Sequence, residues 1–338
     1  MTKHKSLYHP IDIGSVHING NLFLAPLAGY TDRAFRAICK EWGASLTYTE
    51  MVSAEGLARG SSNTEDLLKR ASNEQQLAAQ IFMPDASVTQ RSLDRLLQFD
   101  PTIIDINCGC PVPKVVKTGA GSTLLRFPDK IYEIVRTITQ HTATPVSVKI
   151  RLGWDTSSIN YHETTDAALS AGAKMITMHA RTKTMGYSGI ADWSALTDLK
   201  QYVQTRAPEV PVFGSGDLFS AQAAKEMLEQ TGVNGVMFAR GAMGNPFIFS
   251  DTHHLLTTGE APLPISLDQR IETLRSHLYR LGEDRGEALA CREMRKHASA
   301  YFKGIPYAAR AKQALVQSTT YAQYEEVFEA IRGEEFLA

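Results

Sequence analysis

No apolar run in the 338 residues approaches the roughly 18 that a membrane-spanning helix needs. Residues 1–16 are polar and lack the apolar stretch of a secretory signal, so a soluble, cytoplasmic protein is expected. Cysteine is scarce: Cys39, Cys108, Cys110 and Cys291 are too few for a disulfide framework in a chain of this length. Cys108 and Cys110 are one residue apart, too close for a zinc hook, and no second Cys or His pair completes one. No structural metal is therefore expected. No G-x-x-x-x-G-K-[ST] run occurs, which excludes a P-loop. Gly119-Ala-Gly-Ser-Thr-Leu lacks the third small residue of a dinucleotide fingerprint and does not directly follow a strand. Charge of either sign is not in excess. A net charge of -1 argues against coating nucleic acid by bulk electrostatics, but leaves room for a local basic face.

What the chain does have is alternation. With 43% hydrophobic residues it can bury a sizeable core. Short β-rich runs at 22–25, 46–50, 77–82, 103–107, 146–150, 175–179, 210–214 and 235–239 read as strands. Periodic segments at 32–42, 86–99, 128–140, 162–171, 193–205 and 220–230 read as helices. Eight such units predict an α/β fold, a closed (β/α)8 TIM barrel rather than an open sheet. Ala261-Pro-Leu-Pro then breaks the pattern, and everything after Ser266 is helical, over 267–282, 287–302, 307–316 and 321–332. The expected division is a barrel over residues 1–260 and a small all-helical C-terminal domain over 261–338.

Several strands end in polar residues in phase with one face: Gln80, then Asp105 and Asn107, then Lys149, then His179. Active sites of this fold lie at the C-terminal ends of the strands. Any one of these residues could belong to a satisfied polar layer; five converging on one mouth favour a site. Asn107-Cys-Gly-Cys-Pro111 follows directly and forms a tight loop. Cys108 reads as a small buried hydrophobe, whereas Cys110, set between Gly109 and Pro111, reads as functional. A thiol with an ordinary pKa of about 8.5 is protonated at neutral pH and can donate a proton. Glycine-rich turns follow the last two strands, Gly214-Ser-Gly-Asp217 and Ala239-Arg-Gly-Ala-Met-Gly244. With Arg240 they suit a phosphate-bearing cofactor.

With these stretches in view, the sequence resembles the tRNA-dihydrouridine synthases, and among them the bacterial B-type branch. The resemblance rests on Ala25-Pro-Leu-Ala-Gly-Tyr-Thr-Asp32, Gln80-Ile-Phe, Asp105-Ile-Asn-Cys-Gly-Cys-Pro111, Val148-Lys-Ile-Arg-Leu-Gly-Trp154, His179-Ala-Arg-Thr182 and Gly186-Tyr-Ser-Gly-Ile-Ala-Asp-Trp193. It continues through Gly214-Ser-Gly-Asp217 to Arg292-Glu-Met-Arg-Lys-His297 and Tyr301-Phe-Lys-Gly304, in order over nearly the whole chain. The resemblance implies an FMN-binding barrel in which Pro26, Leu27 and Ala28 line the flavin. It implies that Gln80 bonds the flavin's pyrimidine edge and that Lys149 stands near its N1/O2 side. His179, Ser215, Gly216, Asp217, Ala239 and Arg240 would hold the ribityl chain and phosphate. Cys110 would be the general acid, with Asn107 and Arg181 orienting the uracil. Ser215 stands where the family usually has Asn, Ala239 where it has Gly, and Lys183 where it has Arg.

Saturating the C5–C6 bond of uracil requires a hydride at C6 and a proton at C5. The expected sources are reduced FMN and Cys110, with NADPH (or NADH) reloading the flavin through the same mouth. The expected partner is tRNA, entered at an exposed D-loop uridine, with the B-type resemblance pointing to position 17. Between Arg292 and Lys312 six basic residues (Arg292, Arg295, Lys296, Lys303, Arg310, Lys312) face one acid, Glu293, interleaved with Tyr301, Phe302 and Tyr307. That segment is the expected RNA contact, although a solvated helix face with core aromatics has the same composition. Two other readings share the barrel: a flavin enzyme acting on a free pyrimidine, and a tRNA-binding protein that retains flavin without turnover. A monomer is expected.

Overall fold

The structure, a computed structural model, describes residues 6–305 and 308–333. Tyr307, one of the three aromatics placed in the basic segment, lies outside the described residues.

The chain opens with a hairpin of β1 (Ile11–Ile13) and β2 (Val16–Ile18), paired Ile11↔Ile18 and Ile13↔Val16. The sequence analysis places no strand in this polar segment. Its alternation of buried Ile11, Ile13 and Ile18 with exposed neighbours is the period-2 signal of a half-buried strand. The hairpin packs against Phe23, Tyr48, Ala78, Ile103, Met175, Phe213 and Met237, and so plugs the bottom of the barrel. Phe23 and Phe213 stack there at 4.2 Å.

Eight parallel strands follow: β3 (Leu22–Leu24), β4 (Thr47–Tyr48), β6 (Leu77–Phe82), β7 (Ile103–Asn107), β8 (Val146–Arg151), β9 (Met175–His179), β10 (Val212–Ser215) and β11 (Gly235–Phe238). A two-residue β5 (Val52–Ser53) extends the edge beside β6. The order β3-β11-β10-β9-β8-β7-β6-β4 closes on itself, since Phe23 bridges Leu46 and Leu24 N donates to Leu46 O at 2.9 Å. The expected (β/α)8 barrel is what the chain adopts. Strand boundaries agree within two residues, the second strand being the shortest at Thr47–Tyr48 of the expected 46–50.

Several crossover helices start at polar side-chain caps. Asp32 accepts from Phe35 N at 2.9 Å ahead of Arg33–Glu41, and Asp85 from Val88 N at 3.0 Å ahead of Ala86–Leu97. The helix Ile248–Thr258, which completes the last unit, was not anticipated, nor were the short helices Ala54–Ala58 and Ser62–Asp66.

After Ser266, whose capping box with Gln269 starts the helix, come Leu267–Arg285, Glu287–Tyr301, Ala309–Gln317 and Tyr321–Arg332. Ile271, Leu274, Met294, Tyr301, Leu315 and Phe328 form their core, which also takes in Ala34 and Phe247 from the barrel. The helical unit is thus docked through shared apolar surface. Arg33 adds an ion pair with Asp284, its Nε 2.8 Å from the carboxylate, and Arg280 pairs with Glu41. Gly244 lets the two units approach: its φ is +63°, and a Cβ there would sit 2.4 Å from Ala300 Cβ and 2.6 Å from Tyr301 N. Because the obstacle includes helix backbone, it cannot swing aside. Gly244→Ala is expected to lower unfolding stability by about 1–3 kcal/mol in chemical denaturation, with proteolysis between the units accelerated.

Candidate active site

The parallel register aligns inward-facing polar residues across β6, β7 and β8, pairing Gln80 with Asp105, Asp105 with Ser147, and Asn107 with Lys149. Their hydrogen bonds form one chain. Gln80 Nε2 donates to Asp105 Oδ2 at 2.6 Å, and Ser147 Oγ donates to Asp105 Oδ1 at 2.5 Å. Asn107 Nδ2 donates to Gln80 Oε1 at 2.7 Å, which fixes the orientation of the Gln80 amide. On its other side Asn107 Oδ1 accepts from Gly109 N at 3.2 Å and from Cys110 N at 2.9 Å. The amide of Asn107 therefore bridges the barrel wall to the cysteine loop. Ser122 Oγ and Arg151 Nε secure the loop from outside by donating to the carbonyls of Cys110 (2.9 Å) and Gly109 (2.7 Å).

Burial pushes the Cys110 thiol above its ordinary pKa, and the nearby Arg151 and Lys149 offset this only in part. The thiol stays protonated at neutral pH. Lys149 is pulled down to about 8, by burial first and then by the charge of Arg151. Asp105, fully buried, is pushed up to about 6 by desolvation. Its carboxylate is the anion nearest the lysine on this wall.

The opposite end of the mouth is built by the turns after β10 and β11. Gly241 must be glycine because a Cβ there would lie 1.9 Å from Leu218 O, so the two turns pack directly on each other. Asp217 takes a left-handed conformation at φ +58° and turns its carboxylate inward to Arg181 Nη2, at 2.8 and 2.7 Å. Arg181 also donates to the carbonyls of Ser188 (3.0 Å) and Gly189 (2.7 Å), holding the loop that carries Tyr187. His179 Nε2 lies 3.3 Å from Arg181 Nη1. Burial and then the surrounding Arg151, Lys149, Arg181 and Arg240 push the imidazole far below its usual pKa, so it is neutral. Arg240 lies between two exposed rings, 4.7 Å from the centroid of Tyr187 and 5.1 Å from that of Phe219.

These walls enclose a cavity of about 330 Å³, within the ~300–1,000 Å³ range of ligand pockets. Pro26, Leu27, Ala28, Gln80, Asn107, Cys110, Lys149, His179, Ser215, Gly216, Asp217, Ala239 and Arg240 all line it. Arg181 does not: it is buried behind the wall, and its guanidinium is engaged by Asp217 and the two loop carbonyls. Lys183 lies away from the cavity with its ammonium 4.1 Å from the Trp154 ring. Sequence reasoning missed Arg151, which lines the mouth and donates to the carbonyls of Thr182 (3.0 Å) and Gly186 (2.9 Å). The signal was available, because Arg151 is two residues beyond Lys149 and so on the same strand face. Tyr30, Met51, Tyr187 and Phe219 also line the cavity, but from loops where no periodicity marks them.

The family model described as dihydrouridine synthase matches residues 23–335. The chain belongs to that family. A probable tRNA-dihydrouridine synthase of Treponema pallidum is 44% identical over 328 residues, covering 95% of this chain and 96% of the relative. A tRNA-dihydrouridine synthase B of Pasteurella multocida is 33% identical over 296 residues, with 87% of each chain covered. These matches bear out the sequence resemblance, including its B-type character. The fold is shared with a solved 2-naphthoyl-CoA reductase complex at a TM-score of 0.56 and 9% identity, over 74% of this chain and 52% of that one. Dihydrouridine is uridine carrying two more hydrogens, so this dihydrouridine synthase family member is an oxidoreductase.

Asn107→Ala would strand the Gly109 and Cys110 amides and the Gln80 carbonyl together. The expected loss is about 1–3 kcal/mol per buried group left unpaired, read by denaturation. Alkylation of Cys110 by iodoacetamide should at the same time become faster as its loop loosens.

Proposed function

We propose that this enzyme reduces the C5–C6 bond of a D-loop uridine in tRNA, with FMN as resident flavin and NADPH (or NADH) as reductant. The observation that carries the reading is a protonated thiol, Cys110, held by Asn107 at the mouth of a cavity whose walls carry Lys149, Arg151 and Arg240. The donor set fits a flavin mononucleotide. Pro26, Leu27 and Ala28 offer an apolar wall, Gln80 an oriented amide, and Lys149 a half-buried cation suited to negative charge on the ring system. Ser215, Gly216, Ala239, Arg240 and the neutral His179 offer hydrogen-bond donors and one full charge for a ribityl phosphate. When bound, a reduced flavin supplies the hydride for C6.

The chain's own residues supply the rest. Cys110 donates its thiol proton to C5, and the raised pKa keeps that proton available through neutral pH. Lys149 and Arg151 stabilise the thiolate left behind, being the cations closest in effect on it. Asn107 sets the position of the thiol by fixing the loop amides. Arg181 acts as a positioning residue, holding Asp217 and the Tyr187 loop rather than touching the base. The tRNA enters as substrate on the strength of the relatives' names. The helical unit, residues 261–338, is proposed as the tRNA-binding domain, with Arg292, Arg295, Lys296 and Lys303 meeting backbone phosphates and position 17 as the target. Among the described residues no helix is long and apolar enough to cross a membrane, and a cytoplasmic monomer is proposed.

Incubating the protein with NADPH and unmodified tRNA and mapping dihydrouridine by mass spectrometry tests the reading. Site-specific product is expected, falling by about 10²- to 10⁴-fold in Cys110→Ala, the usual worth of a general acid. A yellow protein that consumes NADPH without forming dihydrouridine would refute it. A second expectation concerns pH. Lys149 is charged below its lowered pKa of about 8 and neutral above it, so single-turnover reduction should fall as pH rises through that value. Lys149→Arg keeps the charge and should move the alkaline limb upward, leaving only the limb of the thiol.

A further inference from the structure

A second set of chemically capable side chains lies outside the cavity, where the helical unit meets the barrel. Asp32 caps the barrel helix Arg33–Glu41, His277 comes from Leu267–Arg285, and His297 from Glu287–Tyr301. One ligand atom from each lies within 4.8 Å of the others, and all three residues are buried. Asp32 Oδ2, His277 Nε2 and both ring nitrogens of His297 have no hydrogen-bond partner. His297 Nε2 is 3.8 Å from Asp32 Oδ2, beyond hydrogen-bond reach. The remaining atoms are committed in a way that aims the free ones at one another. Asp32 Oδ1 accepts from Phe35 N at 2.9 Å, and His277 Nδ1 is 3.2 Å from Tyr301 Oη. The walls are aromatic: Phe35 is 5.4 Å from His277 and 5.2 Å from His297, and Tyr30 is 5.2 Å from His297. Such walls leave the carboxylate oxygen and the free nitrogens of the two imidazoles close together with no hydrogen-bond partner.

We propose that Asp32, His277 and His297 together bind one divalent cation of the zinc class, which fastens the helical unit to the barrel. Two imidazoles and one carboxylate are a borderline donor set that selects zinc-like ions over magnesium or calcium, which prefer oxygen cages. Bonds of about 2.1 Å place tetrahedral donors about 3.4 Å apart, so the side chains draw in by about an ångström on binding. Water completes the coordination. Tyr301 Oη accepts the Nδ1 proton of His277, as the partners behind metal-bound histidines commonly do, and so turns Nε2 toward the metal. Spacing rules could not find this set, since its members are separated by 245 and 20 positions, and the expectation of no structural metal rested on those rules. The site adjoins the 25–31 loop, so the cation also braces one wall of the cavity through Tyr30.

The test is metal analysis of the full chain purified without chelator, followed by removal of metal and titration with cobalt(II), whose visible bands report the donor set. About one equivalent of metal, tetrahedral bands and a higher melting temperature on refilling are expected. Tyr301→Phe should weaken cobalt binding by about 10- to 100-fold while preserving the packing. His277→Gln should abolish the bands. A wild-type chain that holds no metal and gives no cobalt spectrum overturns the proposal and leaves the three groups to buried water. So does binding that persists unchanged in Asp32→Asn and His277→Gln, which would assign the metal to surface groups such as His162 and Asp198.

Discussion

The architecture of the mouth depends on one side-chain amide. Asn107 is the last residue of its strand, and both ends of its amide are used: the nitrogen on Gln80, the oxygen on the backbone of Gly109 and Cys110. Through it the cysteine loop inherits the position of the sheet, which is fixed by the register of three parallel strands. A thiol on an untethered loop would sample many positions. Here the loop is tied at Asn107, Ser122 and Arg151, so the Cys110 thiol is held in place by the fold itself. The role the structure gives this asparagine is architectural.

The electrostatics of the site follow from where charges are buried rather than from how many there are. The chain is nearly neutral, yet four cations surround the mouth against two acids, Asp105 and Asp217. Of these acids, Asp105 is pushed toward its neutral form by burial, and Asp217 is turned away into Arg181. Low local dielectric magnifies the resulting positive field. That field adds to burial, the larger cause, in lowering both the lysine and the histidine. The thiol escapes full activation because its own burial outweighs those cations. That balance suits an acid and would ill suit a nucleophile.

The helical unit is an extension of the barrel rather than an appendage on a tether. Phe247, from the turn after the last strand, lies in the core of the helices, and Gly244 admits their backbone at close range. The 25–31 loop stands between the two, lining the cavity with Tyr30 while Asp32 reaches under the helices. The ring of Tyr30 also lies 5.5 Å from the Lys296 ammonium, so a basic helix begins where the cavity wall ends. A polynucleotide held by the helices would therefore be held relative to the reacting atoms.

Periodicity alone carried the barrel. Alternating short β-rich runs and amphipathic stretches have few packed solutions, and six crossover helices were visible because each runs nine residues or more, four of them behind a polar side-chain cap. The same logic exposed Gln80, Asp105, Asn107, Lys149 and His179, since polar residues in phase on an otherwise apolar strand face announce themselves. The N-terminal plug escaped because its strands are three residues each, and the Ile248–Thr258 helix because its four apolar residues fall in two adjacent pairs, Ile248-Phe249 and Leu255-Leu256, too sparse for a clear period. The placement of Arg181 behind the wall and of Arg151 on it was decided only by the tertiary structure. Both are buried arginines flanking strand ends, and which one lines the cavity depends on the partner each finds across the barrel. The same holds for Tyr187, Phe219 and the Asp32–His277–His297 group. Sequence determines what repeats along a strand or helix, because local geometry converts spacing into direction. What loops and distant helices bring together is set by the closure of the whole chain, which no local spacing records.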